Sequence, residues 1–246
     1  MRATPVTQVV KLFRLWLDAD RFRISAALGT GLVIPILLAL LAANSGDRLV
    51  SIRQLDIAIL ECSSLFLVFR QLVQSMSLEY LEDSRPLLTV AGVTKPQYLG
   101  ARALEALLIG SAPLLMTVLV CWLHHDLGLI TAGLLARYVE WVVLLASAAA
   151  VLISYLRPPL SFFCVDLCCA LTIAFCPIFY PSSRVPLQLR PVVDWLPASL
   201  MSNALAADTT PGWPDALTLL WCIVSCLYAW LAFPWAGRRV PARSVE

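Results

Sequence analysis

The sequence predicts an all-α integral membrane protein, on two whole-chain properties and one local pattern. Of its 246 residues 60% are hydrophobic and only 14% are charged, with a mean hydropathy of +0.81. That lies far from the balance of a soluble domain. The apolar residues also gather in runs of about 20, the length at which a helix crosses a bilayer core. A net charge of +2 is too small to argue for nucleic acid, and no nucleic-acid partner is expected.

The chain reads as a single transmembrane domain over 1–246. Residues 1–23 place Val6, Val9, Val10, Phe13, Trp16 and Leu17 on one helical face, the pattern of an interfacial helix lying on the membrane. No signal peptide is expected, because the first apolar run begins near Ile24 and already has the length of a span. Six spans follow at 24–43, 55–73, 106–123, 138–156, 160–180 and 217–235. The second is the weakest, since it carries Asp56, Glu61 and Arg70. Between the fifth and sixth lies a Pro-rich stretch with Pro181, Pro186 and Pro197, which suits a re-entrant or external helical segment. Irregular backbone at membrane depth is allowed only where protein or a cavity covers it. With both termini in the cytoplasm, 13 of the 18 Lys and Arg fall on the inner side, so the positive-inside rule sets that orientation.

Residues 80–102 interrupt the apolar pattern between the second and third spans. Ser84 suits a helix cap with Pro86 in the first turn, Leu87, Leu88, Val90 and Ala91 continue it, and Gly92 is a natural stop. Thr94 stands three residues before Gln97, a capping-box spacing that starts the next helix. A short cytoplasmic helix between two turns is expected. Its apolar side chains are too few for a core of their own, so they should bury against a partner or against the N-terminal helix.

That layout resembles the permease subunit of type-2 ATP-binding-cassette exporters. In that family acidic residues follow the second span, then come a short apolar helix, a turn and a segment ending in Leu-Gly-Lys. The corresponding residues here are Glu79, Glu82 and Asp83, then 87–91, then Gly92, Val93 and Thr94, and then Tyr98, Leu99, Gly100, Ala101 and Arg102. Before the last span, Phe179-Tyr180-Pro181, Val185-Pro186 and Asp194-Trp195-Leu196-Pro197 are similar to the family's proline-containing turns. The chain departs from it where Ser84-Arg85-Pro86-Leu87 replaces Gly-Thr-Leu-Glu, and where Leu196 replaces the Asn of Asn-Pro.

The resemblance implies that the short helix docks into a separate ATPase subunit. Glu82, Arg85, Leu87, Leu88, Val90, Gly92, Thr94 and Lys95 would form the coupling region. It further implies a homodimer, or a heterodimer with a similar permease, in a bacterial inner (plasma) membrane. ATP and magnesium would be held by the partner ATPase, and no cofactor is expected in this chain. The alternatives are a haem- or polysaccharide-exporter permease of the same superfamily, a secondary transporter, or a membrane enzyme.

Few residues suggest chemistry. Glu61 and Asp166 are carboxylates inside spans, where an ionisable group is costly unless paired or hydrated. They are the candidates for a cargo pathway or for helix pairing. Arg70 suits an anchor at the inner end of its span. His124, His125 and Asp126 form a loop cluster without zinc-site spacing. The eight cysteines sit in or beside apolar segments, where a thiol packs as a small hydrophobe. Neither a Walker motif nor a Gly-x-Ser-x-Gly elbow occurs in the sequence, so no catalytic or metal residue is assigned, and the chain is expected to be a transport subunit rather than an enzyme.

Overall fold

A computed structural model describes Val33, Ile36 and residues 52–82, 84–123, 130–178, 185–206 and 213–234. The expected interfacial helix 1–23 and first span 24–43 lie outside the described residues, apart from Val33 and Ile36, which are helical. Every regular element among the described residues is a helix.

The second expected span is the middle of a longer rod. Helix α1, Ile52–Ser64, continues through one π turn, Leu65–Phe69, into α2, Arg70–Leu81. The backbone stays helical across both junctions, and the Arg70 N–H reaches back to the Leu65 carbonyl. One extra residue in that wide turn resets the helix face by about 100°. Asp56, Glu61, Ser63 and Ser64 are buried, as are Leu60, Leu67, Leu72 and Met76. The polar residues of this span are tolerated because the rod runs through protein rather than lipid.

A short helix α3, Ser84–Val90, precedes α4, Lys95–Leu123. At 29 residues, α4 is about 44 Å long at 1.5 Å per residue. That exceeds a bilayer core of about 30 Å, so the expected span at 106–123 is only its apolar part. Pro113 sits inside α4. Helix α5, Ala132–Tyr155, opens with the Thr131 hydroxyl accepting from the Leu134 N–H at 3.1 Å. Helix α6, Pro158–Phe175, begins on a proline, which lacks only an N–H that the first turn leaves orphaned. It ends five residues earlier than the expected boundary at 180. Cys176, the residue before Pro177, is extended at ψ 137°, as the proline ring demands.

The Pro-rich connection becomes two short helices, α7, Arg190–Val193, and α8, Pro197–Ala206, before α9, Trp213–Ala232. Among the described residues, three helices are long and apolar enough to cross a membrane: Lys95–Trp122, Ala132–Tyr155 and Pro158–Phe175. The apolar helix Ala216–Ala232 is shorter. Their outward faces suit lipid. On α4 they carry Leu104, Leu108, Leu115 and Leu119, and on α6 Leu160, Phe163, Leu167 and Leu171, all exposed. Length and composition make this a membrane protein with transmembrane helices.

Side-chain bonds fix how α6 lies on the central rod. Ser161 meets Ser77 at 2.9 Å, Asp166 meets Arg70 at 2.9 Å, and the Cys169 thiol meets the Leu65 carbonyl at 3.8 Å. As one number rises the other falls, so the two run antiparallel. Tyr138 of α5 joins two more helices. Its hydroxyl donates to the Gly110 carbonyl of α4 at 2.6 Å and shares a hydrogen bond with Ser64 of α1 at 3.0 Å. Gly110 is needed there: a Cβ would stand 2.9 Å from Val142 Cγ2.

Candidate coupling site

The loop between α2 and α4 is built as the sequence suggests. Helix α3 stops at Gly92, whose φ of 77° is the left-handed region that glycine occupies without strain. The Val93 N–H bonds the Leu88 carbonyl at 3.0 Å and the Gly92 N–H bonds the Thr89 carbonyl at 2.9 Å. That pair of bonds is the Schellman closure of a helix end. The capping box also forms in part, since the Thr94 N–H donates to Gln97 Oε1 at 2.8 Å.

The closure decides which side chains face outward. Leu87 is 69% exposed and Val90 is 87% exposed. Leu88 turns the other way and packs, with buried Val93, on the protein's own core. Of the three apolar residues expected in the coupling region, Leu88 is thus partly buried while Leu87 and Val90 are exposed. Adjacent helical residues point about 100° apart, and the Schellman closure sets Leu88 close to Val93. The Lys95 ammonium lies over the Trp230 ring of α9 at 5.6 Å. Glu82, the residue capping α2, and Thr94 are exposed. For Arg85 the structure describes the helical backbone only.

Beneath this loop lies a buried ion-pair cluster. Arg102 of α4 donates to Glu79 of α2 through Nη2, and to Glu105 and Ser75 through Nη1, the last at 2.6 Å. Tyr98 donates its hydroxyl to the second oxygen of Glu79 at 2.6 Å. The guanidinium also stands over the Tyr98 ring at 5.6 Å, and Phe233, just beyond α9, stacks on that ring at 5.3 Å. Charged groups this deep persist only when geometry and hydrogen bonds compensate their lost hydration. Here one fork-shaped donor holds two carboxylates and a hydroxyl. The cluster joins α2, α4 and the end of α9, and carries the exposed loop on top.

In the sequence, Glu79, Tyr98 and Arg102 stand out only through the family resemblance, and Ser75 and Glu105 do not stand out. A signal was present: Tyr98, Arg102 and Glu105 recur at intervals of four and three, one polar helical face. Ser75 and Glu79 recur at four on the opposing helix.

The other candidates lie elsewhere. Asp166 forms an ion pair with Arg70, with half of its side chain exposed (53%) and without the alignment of a hydrogen bond. It pairs α6 with α2. Glu61 is fully buried on α1. Pro181 lies outside the described residues. Pro186 offers its carbonyl to the Leu189 and Arg190 N–H groups, and Pro197 is the first residue of α8. Among the described residues no group of three His, Cys, Asp or Glu is placed to hold a metal ion.

Fold and site together define a class: a helical membrane protein in which a buried ion-pair cluster joins α2, α4 and the end of α9 beneath a short helix with two exposed apolar side chains. No protein-family model matches the chain, and no curated protein matches it.

Proposed function

We propose that the chain is the permease subunit of an ATP-binding-cassette exporter, moving a cargo out across a bacterial inner (plasma) membrane. Six spans and cytoplasmic termini belong to this reading, as does a dimer formed with itself or with a similar subunit. Helix α3 serves as the element that engages a separate ATPase subunit, which binds ATP and magnesium. The carrying observation is the pair Leu87 and Val90, exposed on a short helix whose base is clamped to α4 through Glu79, Tyr98 and Arg102. A mobile loop would absorb a push at α3. A clamped one transmits it to α2 and α4 together, and so to the helices packed on them. Nucleotide shifts the balance of two permease states only if the ATPase contacts α3 differently in each.

Recovery of an ATPase subunit with the tagged permease, and its loss when the exposed face of α3 is made acidic, tests this reading. A permease that purifies intact from native membranes without any ATP-hydrolysing partner contradicts it.

A further inference from the structure

Glu61 takes no part in the coupling cluster. It stands on α1 with no exposed surface, and among the described residues neither carboxyl oxygen has a well-formed hydrogen bond. Among the same residues the buried Ser63 hydroxyl has no partner, and the buried Ser199 hydroxyl of α8 has only the Cys176 thiol beside it. Ser202 of α8 flanks the carboxyl outside good hydrogen-bond geometry. The described ion pairs, of Arg70 with Asp166 and of Arg102 with Glu79 and Glu105, leave Glu61 out.

Among the described residues, the titratable groups nearest it are thiols. Cys62 adjoins it on α1, Cys176 approaches it from the end of α6, and Cys169 of α6 lies near Cys62. Asp56 on α1 faces the Cys121 thiol of α4 at 3.7 Å, and the α5 hydroxyl of Tyr138 is engaged by Ser64 and Gly110. Helix α8 brings the buried Ser199 and Ser202 to this junction, while its Asn203 is exposed.

A bare carboxylate here has no cation among the described residues and only serine hydroxyls to offset its lost hydration, which is a costly way to bury the group. The neutral acid has an O–H to give, and a serine oxygen can accept it. One proton therefore supplies a donor for a serine oxygen and leaves the second carboxyl oxygen able to accept from a serine hydroxyl. We infer that Glu61, with the Ser199 and Ser202 hydroxyls, is a proton-binding site. Its carboxyl is the neutral acid while α1 packs on α8, and it releases the proton to water when that junction opens. Proton binding and closure then favour each other, by reciprocity. The inference stands independently of the exporter reading.

Dicyclohexylcarbodiimide adds across a protonated carboxyl and leaves an N-acylurea, with no atom lost. Wild-type protein in lipid vesicles, treated with it and digested, reports the modified Glu61 peptide by mass spectrometry. Modification is expected to be several-fold greater at about pH 5.5 than at about pH 8.5, while Asp166, paired with Arg70, stays unmodified. Hydrogen exchange of α8, corrected for intrinsic rate, should speed up with rising pH in the wild type but not in Glu61→Gln, which mimics the neutral acid. No modification at Glu61, equal modification at both pH values, or the same exchange profile in the two proteins overturns the inference.

Discussion

Tyr98 donates its hydroxyl to Glu79 at 2.6 Å, across 19 residues of chain that contain the whole of α3. The bond closes the loop at its base, and Arg102 closes it again through the other Glu79 oxygen. The loop is thus fastened to two long helices before any partner arrives.

Removing the cation should expose what the cluster costs. Arg102→Ala leaves Glu79 and Glu105 buried together, a loss of roughly 3–5 kcal/mol for a broken buried pair. Glu105→Gln should be milder, because Arg102 keeps Glu79 and Ser75. Thermal unfolding in lipid measures both. Equal melting temperatures for Arg102→Ala and wild type would deny the cluster a structural role.

The two instructive glycines should respond differently. At Gly92 nothing lies within 4 Å of a new Cβ, so Gly92→Ala pays only for its left-handed backbone, about 1–2 kcal/mol. Faster hydrogen exchange confined to 84–93 is the expected result. At Gly110 the obstacle is Val142, so Gly110→Ala should lower the melting temperature, and adding Val142→Ala should restore part of it. Absence of any rescue would place the strain elsewhere.

Much of this was legible in the sequence wherever one residue type has one local job. The apolar runs of α5 and α6 gave spans, Gly92 gave a stop, and Thr94 with Gln97 gave a start. The polar first turns of α4 were harder. Tyr98 and Arg102 look like loop residues to a hydropathy reading because their partners on α2 are distant in sequence: Glu79 is 19 positions from Tyr98 and 23 from Arg102, and Ser75 is 27 from Arg102. Each helix carries its own polar periodicity, but only comparison of the two faces shows that they pair. Leu87 and Leu88 were inseparable for another reason: only the closure to Val93 decides which of them turns inward. Asp166 was legible as costly, but its answer, Arg70, came from the antiparallel register of α6 against the central rod.

That register also predicts sidedness. The chain leaving α2 at Glu82 and the turn at Leu187, beyond the end of α6, belong at opposite ends of the bundle, and both side chains are exposed. In a background with the eight cysteines replaced, Glu82→Cys should react with an impermeant thiol reagent only after the cell is opened. Leu187→Cys should react in intact cells. Labelling of both from the same side would contradict the packing.

The central claim is that the outward face of α3 receives an ATPase subunit. Burial of Leu87 and Val90 in such a contact is worth roughly 1.5–3 kcal/mol each, and a charge at either position would oppose it further. The doubly substituted Leu87→Asp/Val90→Asp protein should insert, keep its melting temperature, and leave Leu88 and the Glu79–Arg102 cluster untouched. The decisive measurement is the ATP hydrolysis recovered with the tagged permease from native membranes. The account predicts wild-type recovery of a hydrolysing partner and its loss, at least about 100-fold in affinity, from the double variant. Equal recovery of ATPase with both proteins, or none with the wild type, would contradict it.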